Sequence, residues 1–129
     1  MKKQLFLSLL AIVTTVGSIM AQGNMQQKAP AERAKETSLK LKTDLTLSTE
    51  QEVKVYQVFE NLYATQQTAM EEMRNSGAMD REKMKETRDK LNAERDAKLK
   101  GILTADQMKK WTNDIEPTMR LQRRAPAGN

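Results

Sequence analysis

The 129-residue sequence has no cysteine and no histidine. No disulfide framework can form, and neither thiolate nor imidazole is present to hold a transition metal. The same absence removes the base or nucleophile of the usual catalytic triads. No phosphate loop occurs, so nothing suggests a nucleotide or any other cofactor. Aromatic residues make up only 4% of the chain against 30% charged residues, and there are five glycines and three prolines. With a mean hydropathy of −0.73, such a chain predicts a thin core built from one apolar seam per helix. Lys, Glu, Gln, Ala, Met and Leu dominate its middle, which favours helix throughout.

What is present begins with a targeting pattern. Lys2 and Lys3 precede an apolar run from Leu5 to Val16, Gly17 and Ser18 follow, and Ala21 offers a small residue for cleavage. Residues 1–21 read as a signal peptide with Gln22 as the mature start, although Ile19 at the −3 position is bulkier than ideal. The run is short for a membrane span, no cysteine follows it to take a lipid, and no second apolar run exists, so no stable membrane anchor is expected. Removing residues 1–21 leaves 108 residues with 20 Lys+Arg and 17 Asp+Glu, a net charge of +3. That balance gives nucleic-acid binding no support.

Residues 22–30 read as a disordered lead-in ending at Pro30. Ala31, Ala34, Ser38, Leu41 and Leu45 step along one face of a first helix, over about residues 31–44. A second starts after Ser48 and runs to about Asn75, with Val55, Phe59, Leu62, Gln66, Ala69 and Met73 in register and Tyr56, Tyr63 and Met70 widening the stripe. Gly77 marks a break. Asp80 caps a third helix that ends at Gly101. A fourth carries Met108, Trp111 and Ile115 on one face, with Trp111 as its core anchor, and Pro117 is expected to end or kink it. The tail over 117–129, with Arg120, Arg123 and Arg124, reads as flexible and basic. The predicted fold is all-α, a four-helix extended hairpin over residues 31–116.

Two segments share one wording. Leu47-Ser48-Thr49-Glu50-Gln51 and Leu103-Thr104-Ala105-Asp106-Gln107 both fit L-[ST]-x-x-Q and lie 56 residues apart. Each reads as a capping box, in which the hydroxyl of Ser48 or Thr104 accepts from the next turn and Gln51 or Gln107 reaches back. Leu103 and Met108 add a hydrophobic staple. This duplication resembles the Spy/CpxP-like family of small exported proteins with paired LTxxQ motifs, and the resemblance covers roughly Ala31 to Glu116. It implies a four-helix chain that pairs into a thin, antiparallel homodimer in the periplasm. It further implies either an ATP-independent chaperone for unfolded or misassembled envelope proteins, or a regulator docking on the domain of an envelope stress sensor kinase. More distant relatives sense metals through histidine or cysteine, which this chain lacks.

Candidate client-binding residues are Met70 and Met73 near the hairpin tip and a mixed face of Met84, Arg88, Leu91 and Arg95 on helix three. Flexible thioethers suit a surface that fits many apolar partners, and the arginines are expected to attract acidic chains. The competing reading makes the methionines seam residues and the arginines snorkelling stems. Glu71 and Glu72 diverge on a helix, as do Asp114 and Glu116, so neither pair reads as a catalytic dyad, and no enzymatic activity is expected.

Overall fold

A computed structural model describes residues 28–77 and 79–124. Residues 1–27, which include the expected signal peptide and most of the expected lead-in, residue 78 and residues 125–129 lie outside the described residues. Among the described residues the chain is all-α, with helices α1 (Pro30–Leu45), α2 (Thr49–Asn75), α3 (Arg81–Lys100), α4 (Ala105–Lys110) and α5 (Glu116–Arg124), and a single π turn at Trp111–Ile115 between the last two. None of these helices is long and apolar enough to cross a membrane.

Local chemistry sets the boundaries. Pro30 starts α1, where its missing N–H costs nothing. Thr46 closes that helix in the left-handed region at φ 54°, its N–H donating to the Lys42 carbonyl. Ser48 and Thr104 each accept from the backbone N–H three residues on, completing the two capping boxes. The Asp80 carboxylate accepts from the Glu82 N–H and starts α3. Gly77, at φ 69°, supplies the turn between α2 and α3 that a side chain would strain.

The predicted stripes form one core only toward the base of the molecule, as far as Tyr63 on α2. Ala34, Leu41 and Leu45 of α1 meet Val55, Val58, Phe59, Leu62 and Tyr63 of α2, with Leu91 and Leu99 of α3 and Trp111 and Ile115 completing it. Phe59 is the hub, with its ring centroid 5.9 Å from that of Tyr63 and 5.9 Å, edge to face, from that of Trp111. The Tyr63 hydroxyl finds Thr37 Oγ1 at 2.9 Å, which satisfies a buried phenol. Arg33 lies over the outer face of the same ring, 4.0 Å from its centroid.

Of the two outcomes expected at Pro117, an end or a kink, the first does not occur: α5 runs through the proline to Arg124, so residues 117–124, expected as a tail, are helical. The reason is the π turn immediately before it. Glu116 N–H donates to the Trp111 carbonyl, five residues back. The widened turn makes room for a proline ring that would strike the carbonyl four residues back in a regular α-helix. The helix therefore persists beyond the proline, keeps Met119 partly packed on the core and carries Arg120 to Glu116.

Candidate functional site

The two L-[ST]-x-x-Q motifs meet. Leu47 and Leu103 are buried, which anchors the α1–α2 and α3–α4 turns in the core. Each glutamine oxygen accepts its own cap N–H, from Ser48 at 3.0 Å and from Thr104 at 2.9 Å. The side-chain amides also donate across the gap. Gln51 Nε2 donates to Gln107 Oε1 at 2.8 Å and to the Ile102 carbonyl at 3.1 Å. Gln107 Nε2 donates to Gln51 Oε1 at 3.3 Å and to the Leu45 carbonyl at 3.2 Å. An amide offers two donors and two acceptor lone pairs, and here both amides use all of them. The paired motif is therefore a clasp as well as two caps. Sequence reasoning found the caps and missed the clasp, whose signal was the identical glutamine in both copies.

Above the clasp, α3 and the π turn share a buried charge. Arg95, placed by the sequence on a client-binding face, has a side chain only 1% exposed and belongs to the core. Its Nε donates to Asp96 Oδ1 at 2.9 Å and its Nη1 to Asn92 Oδ1 at 3.2 Å. Nη2 lies 3.5 Å from Glu116 Oε1, and the guanidinium carbon lies 5.0 Å from the centre of the Trp111 ring. Asp96 Oδ1 also accepts from Trp111 Nε1 at 3.1 Å. Glu116 turns its same oxygen to Arg120 Nη2 at 2.7 Å. That hydrogen bond and the carboxylate charge raise the Arg120 pKa above its ordinary value. The reason for the correction is local. Asn92, Asp96, Glu116 and an indole face surround the guanidinium, a set that sequence spacing could not assemble because Glu116 lies 21 residues away. Leu91 is likewise buried, so of the predicted mixed face only Met84 and Arg88 remain on the outer hairpin.

That outer hairpin is the distinctive surface. α2 has 27 residues and spans about 40 Å, but its last fully buried residue is Tyr63. From Ala64 through the turn to Lys90, no described residue is fully buried. The two helices project as an arm without a third helix to cover them. Beyond Gln66, the partly shielded positions described on it are Ala69, Met70, Met73, Met84 and Thr87; Arg88 is exposed, as is Met79 in the turn. Every large apolar side chain between Tyr63 and Leu91 is a methionine, whereas the fully buried core contains no methionine at all. The arm carries six cationic and six anionic side chains over residues 64–90, so it has no net charge.

Two open grooves lie among the described residues. One lies between α2 and α3, lined by Lys54, Val58, Lys98 and Ile102. The other lies between α1 and α5, lined by Thr37, Lys40, Met119 and Arg123. No cluster of three or more acidic side chains able to hold a metal occurs among the described residues. No protein-family model, curated protein or solved structure matches the chain. The resemblance to the Spy/CpxP-like proteins thus stands on the paired motifs.

Proposed function

We propose that this chain is an exported, ATP-independent chaperone-like protein of the periplasm, and that the α2–α3 arm is the surface on which it holds unfolded segments of envelope proteins. The observation that carries this reading is the arm itself. Its apolar seam is half-covered and built only from methionine, alanine and threonine, bordered by charges of both signs. Unbranched thioethers repack around differently shaped apolar partners with little strain. The charged side chains bordering the seam keep it hydrated, and their balance of signs does not select partners by net charge. The leader-like residues 1–21 and the paired motifs support the location and the family reading.

A homodimer belongs to the same proposal. Two helices cannot cover both their stripes, and a second copy laid antiparallel would shelter part of the arm while leaving a shared face for clients.

The test is aggregation of two unrelated, chemically unfolded proteins in the absence of nucleotide. Suppression of both at near-stoichiometric ratios is expected. Suppression of neither would remove the chaperone reading and leave that of a regulator with one partner, such as a sensor kinase domain.

A further inference from the structure

The methionines of the arm are segregated more strictly than a packing role requires. Leucine has an equal or better helix propensity and packs seams with better-defined rotamers. The buried core of the base accordingly uses leucine, valine, isoleucine, alanine and aromatics, with Met108 and Met119 only partly buried against it. The arm reverses the choice completely over residues 64–90.

Position brings three of these side chains together. Met70 and Met73 are three residues apart on α2, hence neighbours on one helix face. Met73 stands two residues before the end of α2, and Met84 three residues after the start of α3, so the two lie at the same level of an antiparallel pair. All three are partly shielded while the residues flanking each of them, except Ala69, are exposed. Helix register and partial burial together place Met70, Met73 and Met84 along one seam between the two helices. The acids nearest in sequence, Glu71, Glu72, Lys83-flanking Glu82 and Glu86, are all exposed, so the seam offers thioether without carboxylate.

We infer that Met70, Met73 and Met84 form a thioether site for a soft monovalent d10 cation, Cu(I) or its redox-inert analogue Ag(I). Thioethers are neutral and polarisable. They bind soft monovalent ions and discriminate against zinc, magnesium and calcium, which need imidazole, thiolate or hard oxygen. A neutral ligand set also needs no proton release, so binding should be nearly independent of pH where carboxylate or imidazole sites are not. The absence of cysteine and histidine leaves no stronger ligand in the chain to compete. This inference does not rest on the client reading, because metal capture needs only the three sulfurs.

The experiment uses the purified protein under anaerobic conditions, with Cu(I) held by a chromophoric chelator and, in parallel, Ag(I) titrated while the methionine ε-methyl resonances are followed. The expected result is transfer of one copper per chain, and Ag(I)-induced shifts at Met70, Met73 and Met84 but not at Met108 or Met119. Replacing Met70, Met73 and Met84 by leucine, with Met79 left in place, keeps volume and apolarity. That variant should retain helicity and lose metal affinity by at least roughly tenfold. Exchanging Met25, Met108 and Met119 for leucine should leave affinity unchanged. No copper transfer, shifts confined to methionines off the arm, or equal binding by the folded arm variant would each overturn the assignment.

Discussion

Gln51 and Gln107, 56 residues apart, donate to one another through their side-chain amides, with the shorter bond 2.8 Å from Gln51 Nε2 to Gln107 Oε1. Because each amide oxygen also accepts its own cap N–H, one side chain serves both local helix initiation and the closure of the base. A glutamate in either place could still cap, since capping boxes accept Glu as readily as Gln, but it could not donate.

That difference yields a prediction. Gln107→Glu preserves the capping box and removes two donated bonds, to Gln51 Oε1 and the Leu45 carbonyl. It is expected to destabilise the protein by about 2 kcal/mol at neutral pH, at roughly 1 kcal/mol per bond lost. Denaturant melts read this directly, and a neutral or stabilising effect would show that the glutamine only caps. In a double-mutant cycle, Gln51→Ala and Gln107→Ala should couple by about 1 kcal/mol.

The buried guanidinium makes a second prediction. Arg95→Gln leaves the buried Glu116 carboxylate with only Arg120 as partner, and should cost about 3 kcal/mol, the usual penalty for breaking a buried ion pair on one side. Arg88→Gln, on the exposed arm, should cost less than about 0.5 kcal/mol. Similar midpoints for the two variants would contradict the placement of Arg95 in the core.

Thr46 is a β-branched residue in the left-handed region, at φ 54°. Its conformation costs about 1 kcal/mol or more relative to glycine. Thr46→Gly is expected to raise stability by about that amount, offset in part by the greater freedom of the unfolded chain. A lower melting temperature for the variant would mean that the threonine contributes more than its backbone strain costs.

If the half-covered arm is sheltered by a second copy, melting should depend on protein concentration. Sedimentation at tens of micromolar concentration should then show a dimer. A monomer with concentration-independent melting would sink this part of the proposal.

Much of the fold was legible because its signals are local. The capping hydroxyls of Ser48 and Thr104, the Asp80 cap, the positive-φ turn at Gly77 and the periodic stripes through Phe59 and Trp111 all act within a few residues. What was not legible depends on residues brought together by the fold. Arg95 reads as amphipathic surface until Asn92, Asp96, Glu116 and Trp111 surround it. Pro117 reads as a stop because a π turn leaves no mark in the periodicity. For the arm, the sequence showed the methionines but not that α1 and α5 stop short of them. Nor did it show that Arg95 is internal, which leaves Arg88 as the exposed arginine of the predicted face.

The central claim is that the arm, through its methionines, holds clients. The measurement that tests it most directly is the dissociation rate of a fluorescent unfolded client from the wild type and from two arm variants. In one, Met70, Met73 and Met84 become serine; in the other they become leucine. Unchanged Trp111 fluorescence and helicity would establish that the base remains folded. The account predicts markedly faster release from the serine variant and near wild-type release from the leucine variant, because apolar contact sets the off-rate. It also predicts a shallow salt dependence for all three, because the arm has no net charge to screen. Release from the folded serine variant at the wild-type rate would contradict the claim and place the client surface elsewhere.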